Sequence, residues 1–323
     1  MASWQSKQIT LENGTSANAQ CPVIVSASRS TDIPAFYSDW FFHRLKVGYS
    51  AWTNPFNGVK SYVSYQNTRF IVFWSKNPKP LLEHLDELKE RNIGCYIQFT
   101  LNDYVKEGLE KGVPALDERI DTFKRLVDKL GKGRVIWRFD PLILTDQIGL
   151  DDLLMKAENI GDQLLGYTEK LVFSYADIAL YKKVKANLVK SQVCYQEWTE
   201  PQMEEFAKRL SELNQKWHYQ LATCGEKIDL ALYGIQHNCC VDDDLMIRFS
   251  HHDKTLMDFL KKKGNRDKGQ RQFCGCIVSK DIGEYNTCPH LCEYCYANAS
   301  KEAAVRNWKQ HENNKFGETI TGK

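Results

Sequence analysis

No apolar run in the chain approaches the roughly 20 residues needed to cross a bilayer, and Met1 to Gln20 is polar where a signal peptide would be hydrophobic. A cytoplasmic location is therefore expected. Surplus charge is also missing, since 43 Lys and Arg stand against 41 Asp and Glu. No global field draws the chain to nucleic acid or to an anionic membrane, so such a partner must use a local patch. There are no repeats, no low-complexity tracts and no Pro/Gly/Ser-rich linker to divide the 323 residues in two. One large domain is expected, with a core that 42% hydrophobic residues can fill.

Cysteine, by contrast, is abundant, with 11 residues. Without a secretory signal these thiols stay reduced and are free for metal rather than for a disulfide framework. Cys21, Cys95 and Cys194 are scattered and read as small hydrophobes. The remaining eight all lie beyond residue 223.

Short apolar runs recur along the chain: Val23 to Ala27, Tyr49 to Trp52, Phe70 to Trp74, Tyr96 to Leu101, Val135 to Phe139, Leu171 to Tyr175, Tyr219 to Thr223 and Cys239 to Val241. Helical periods separate them, as at Pro80 to Arg91 and Leu116 to Leu130. Thr199 and Gln202 form a capping box opening Pro201 to Trp217. Strand–helix alternation implies parallel pairing, and eight doubly covered strands fit an α/β fold of (β/α)8 TIM-like barrel type. The expected division is a polar N-terminal segment over 1–20, the barrel over 21–260, and a cysteine-rich metal-binding extension over 261–323 within the same unit. The polar tail from Ser300 is expected to be mobile apart from a short helix near Glu302 to Gln310.

Nearly every strand runs into a polar cluster, including Ser28 to Asp32, Thr53-Asn54-Pro55, Ser75 to Pro78, Asn102-Asp103, Arg138 to Pro141, Cys224-Gly225-Glu226 and Asp242 to Asp244. A barrel gathers such clusters on the carboxyl-terminal rim, where ligands bind. Arg29, Asp32, Arg138 and Asp140 are the candidate catalytic residues, able to grip an anion or move a proton. The bland alternative for them is an ion-pair girdle between loops.

Cys288, Cys292 and Cys295 have the spacing C-x3-C-x2-C, with Tyr294 before the last Cys. One loop can bring three such thiolates to three corners of a cubane, leaving the fourth iron open. A zinc knuckle completed by Cys274, Cys276 or His290 is the alternative. Cys240, Cys274 and Cys276 form a second candidate metal set, whereas Cys224 and Cys239 read as inert thiols. The basic stretch Lys261 to Lys263, Arg266, Lys268 and Arg271 is either a solvated helix end or a phosphate-binding lip.

At these residues the chain resembles the radical S-adenosylmethionine superfamily. The resemblance implies a [4Fe-4S] cluster on Cys288, Cys292 and Cys295, S-adenosylmethionine on the open iron, and reductive cleavage giving a 5′-deoxyadenosyl radical. It implies cofactor contacts from Tyr294 and from Glu226 of a Gly-Glu turn, and a reducing partner such as ferredoxin or flavodoxin. Ser26 to Pro34, Phe73 to Pro78, Gln98 to Thr100, Trp137 to Pro141 and Ser279 to Asn298 are similar to hallmarks of an uncharacterised microbial family carrying this motif at its C-terminal end. Superfamily members place the motif after the first strand, whereas here it follows the last. The substrate expectation stays broad, extending to a nucleotide or nucleic acid. Two rivals remain: a barrel hydrolase or lyase with a structural metal, and a non-catalytic nucleic-acid-binding protein.

Overall fold

A computed structural model describes residues 4–54, 57–271 and 273–322. Pro55, expected in one of the post-strand clusters, lies outside the described residues.

The architecture is mixed α/β around one eight-stranded sheet. Its strands are β1 (Ile24–Ala27), β2 (Phe70–Ser75), β3 (Gly94–Thr100), β4 (Val135–Leu142), β5 (Lys170–Tyr175), β6 (Gln220–Thr223), β7 (Gln236–His237) and β8 (Lys280–Asp281). Neighbours pair in parallel from β1 to β7 in chain order, and β8 returns to pair with β1. The two edges also meet beyond their ladders, where Ile277 N donates to Val241 O at 3.0 Å.

The sheet is apolar on both faces, so its central strands read as continuous hydrophobic runs. Val25, Ile71, Phe73, Ile97, Phe99, Trp137 and Phe173 pack in the larger core cluster, which takes in the helices. Alternate residues Ile24, Phe70, Val72, Tyr96, Ile136 and Val172 share a second core with Cys240, Val241, Cys276 and Ile277. The alternation follows from successive side chains leaving opposite faces of a strand. Further along this second face come Ser26, Trp74, Gln98, Arg138 and Ser174, so its carboxyl-terminal end is polar and largely buried.

Leu116–Leu130 is helical as the period predicts, and Glu200–Asn214 opens with the capping box of Thr199 and Gln202. The helical stretch from Pro80 is broken into a 3-10 turn, Pro80–Glu83, and the helix Leu85–Glu90.

Two strand assignments change. Tyr49–Thr53 leaves the main sheet for a four-stranded side sheet with Ser6–Thr10, Ser16–Gln20 and Lys60–Ser64, so the polar N-terminal segment is also structured. Cys239 to Val241 is not a strand but the turn after β7. The tail differs as well. Helix Lys301–Asn313 is followed by a return in which Thr319, Ile320 and Thr321 are buried, Trp40 Nε1 donates to Gly317 O at 2.9 Å, and Ala51 N donates to Glu318 O at 2.8 Å. Aromatic surface on the helix Ser38–Val47 supplies the docking face that the polar composition of the tail conceals.

Candidate metal centre at the carboxyl-terminal rim

The segment leaving β8 is fixed first by Asp281. Its carboxylate accepts from Ser26 Oγ and Ser28 Oγ, each at 2.9 Å, and from Arg29 N at 2.8 Å. The loop that follows therefore starts beside β1, and its Tyr294 reaches Lys76 and Asn102, just past β2 and β3.

Several ties hold that loop. His290, between the first two motif cysteines, sets Nε2 2.9 Å from Asp32 Oδ2 and Nδ1 2.9 Å from Gly112 O. Asp32 also accepts from Ala35 N, Ser75 Oγ and Lys76 N at 2.7–3.0 Å, so its two oxygens are engaged by the scaffold. Gly112 N donates to His290 O at 3.1 Å, and a Cβ on Gly112 would lie 2.6 Å from that same oxygen. At the far end Asn298 Nδ2 donates to Cys288 O at 2.8 Å, Asn298 N to Cys295 Sγ at 3.2 Å, and Asn187 Nδ2 to Cys295 O at 2.8 Å.

Tyr294 plants its hydroxyl in a buried ionic group. Lys76 Nζ donates to Glu110 Oε1 at 2.6 Å and to the Tyr294 hydroxyl at 2.9 Å, while Tyr294 donates to Glu110. Asn102 Nδ2 adds a donor to the same hydroxyl at 3.2 Å. Burial pushes the Glu110 carboxyl up, but Lys76 and Arg119 outweigh it and hold it below the usual range. Burial raises the thiols of Cys288, Cys292 and Cys295; Lys76 opposes this at Cys292 and Cys295. Among the described residues no group of three or more His, Cys, Asp or Glu side chains stands arranged to hold a single metal ion.

The other candidates gather elsewhere on the rim. Asp140 is paired with Arg138 and hydrogen-bonded by Ser174, and Arg138 Nη1 donates to Cys240 Sγ at 3.0 Å. Burial acts to raise the Asp140 carboxyl, and Arg138 and Ser174 bring it below its ordinary value. Arg29 and Arg138 both lie over Trp74, at 5.1 and 5.4 Å from its ring, and Arg29 Nη2 is buried without a hydrogen-bond partner. Glu226 Oε1 accepts from Tyr175 N at 3.1 Å. Burial raises the Glu226 carboxyl to about 7, and its other charged neighbours are Arg271, Asp140 and Cys224. The basic stretch is split: Arg266 pairs with Asp243, Arg271 turns inward to Cys224 O, and Lys261 to Lys263 stay exposed.

A family model for a domain of unknown function, DUF1848, matches residues 24–297. The chain belongs to this family. The DUF1848 match begins with the first residue of β1 and ends two residues past Cys295, so it spans the sheet and the motif loop. No curated protein and no solved structure matches the chain.

Lys76, Asn102, Glu110, Asn187 and Asn298 are the participants that spacing alone did not single out. Lys76 and Asn102 sit in post-strand clusters, which is the signal that could have promoted them. Glu110 stands ten residues past the end of β3 and carries no local mark.

Proposed function

We propose that this DUF1848 protein is an iron-sulfur enzyme of radical S-adenosylmethionine type, on a (β/α)8 barrel closed where β7 and β8 meet. Closure is supported by the Ile277–Val241 hydrogen bond and by a single inner core with residues from both edges. The functional reading rests on one observation: the loop bearing Cys288, Cys292 and Cys295 lies over the rim and is tied there through His290, Tyr294 and Asn298.

Three thiols on one tied loop suit a cubane held at three corners, which asks its thiolates to stand at separate irons rather than to share one ion. Bound there with S-adenosylmethionine, the cluster would supply reductive cleavage of the cofactor to methionine and a 5′-deoxyadenosyl radical. Lys76 offsets thiolate charge beside Cys292, and the Asn298 N–H to Cys295 Sγ is the kind of donor that tunes a cluster ligand. Tyr294 packs edge-on to Tyr104, 6.0 Å between centroids, and keeps water from that side. Asp32 and His290 position the loop. Arg29, with its unpartnered N–H in the mouth, is the group for an acidic moiety of cofactor or substrate. A ferredoxin- or flavodoxin-type donor would supply the electron in a reducing cytoplasm.

The test is anaerobic purification with iron and sulfide analysis, then reduction with S-adenosylmethionine and assay for 5′-deoxyadenosine. Cleavage that disappears in Cys292→Ala supports the proposal. Colourless protein with stoichiometric zinc, or cleavage unchanged in Cys292→Ala, overturns it.

A further inference from the structure

Four other cysteines converge at the sheet's second core. Cys224 follows β6, Cys240 follows β7, and Cys274 and Cys276 precede β8. Cys224 Sγ and Cys240 Sγ are 3.2 Å apart, Cys276 shares their buried cluster, and Cys274 packs against it. The backbone around them is fixed by inner-face side chains: Tyr96 Oη and Gln98 Nε2 each donate to Cys240 O at 2.8 Å. Gly275 lets the C-x-C turn close, because a Cβ there would fall 2.4 Å from Cys239 Sγ.

These sulfurs sit among donors suited to thiolates. Arg138 Nη1 and Asn238 Nδ2 donate to Cys240 Sγ at 3.0 and 3.2 Å, Val241 N donates to Cys276 Sγ at 3.2 Å, and Arg271 Nη2 donates to Cys224 Sγ at 3.5 Å. Four thiolates around a divalent ion carry two net negative charges, and the guanidiniums of Arg138 and Arg271 offset them. Soft sulfur ligands select zinc or iron-sulfur chemistry over hard cations.

We propose that Cys224, Cys240, Cys274 and Cys276 form a second, all-thiolate site for a thiophilic metal centre, separate from Cys288, Cys292 and Cys295. The Cys224 and Cys240 sulfurs now touch, and among the described residues the set does not stand about a shared point. A zinc ion would spread Cys224 and Cys240 toward the roughly 3.8 Å edge that Zn–S bonds of about 2.3 Å impose, and a cluster would open them further.

Native mass spectrometry and metal analysis of anaerobically isolated protein test this. A Cys288→Ala/Cys292→Ala/Cys295→Ala chain should keep one metal centre, zinc or iron with sulfide, and Cys240→Ala in the otherwise intact chain should lose that centre while retaining the motif cluster. Cys194→Ser, at an exposed thiol, should lose nothing. Should the triple variant not fold, the mass of the intact chain against Cys240→Ala gives the same difference. A triple variant or intact chain without the extra centre, or a Cys224–Cys240 disulfide in its place, overturns the second site. Loss of iron from neither set of variants would instead count against the motif cluster.

Discussion

Lys76→Met should destabilise the protein by about 3 kcal/mol, because it strands the carboxylate of Glu110 in a fully buried place. The Glu110 side chain is 0% exposed, and Lys76 makes its shortest ion pair, at 2.6 Å. Removing one partner of a buried pair costs roughly 3–5 kcal/mol, and the lower end applies because Arg119 still faces the carboxylate. Replacing both, in Lys76→Met/Glu110→Met, removes the stranded carboxylate but leaves the buried Arg119 guanidinium without its acidic neighbour, so the double variant should regain only part of that loss. The pH dependence should also invert. In the native protein Glu110 titrates below its ordinary value, so its contribution is present above about pH 4.3 and is lost as pH falls through the folded pKa. Without Lys76, burial raises that pKa. The folded state then holds a proton that the unfolded state has released, and stability falls with rising pH by at most about 1.4 kcal/mol per unit. Urea unfolding followed by tryptophan fluorescence, from pH 5 to 8 at matched metal content, reads both effects. A Lys76→Met chain within about 1 kcal/mol of the parent, with a parallel pH profile, would refute the reasoning.

Gly112→Ala places a Cβ 2.6 Å from His290 O and should loosen the motif loop at a cost of about 1–3 kcal/mol, read as iron lost on anaerobic desalting. His290→Ala removes the tie to Asp32 and should lower the iron-to-protein ratio, whereas full retention would mean that other contacts hold the loop. Deleting residues 314–323 uncovers Trp40 and removes Ile320, both about 1% exposed. With about 3 kcal/mol lost, a fall in Tm of about 5 °C is expected by calorimetry.

Strands β1 to β6 were legible because burial on both faces writes them as apolar runs. Strands β7 and β8 were not. Gln236–His237 and Lys280–Asp281 are two-residue polar stretches, held by neighbours rather than by hydrophobic pattern. Tyr49 to Trp52 misled in the opposite sense, since an apolar run does not say which sheet it joins. The motif cysteines announced themselves by spacing, whereas Cys224 looked inert because its partners lie 16 and more residues away. Glu110 meets Tyr294 across 184 residues, a relation that no local pattern encodes.

The pairing of β1 with β8 has a consequence for biosynthesis. Ser26 waits for Asp281, 255 residues downstream. At about 5–20 residues per second, ribosomal synthesis leaves that edge bare for roughly 13–50 s. The motif thiols emerge later still, after the last strand of the main sheet. Under the proposed function, iron capture at the motif thus waits until every strand of the main sheet has been synthesised, and a chain that stops before Cys288 would lack it.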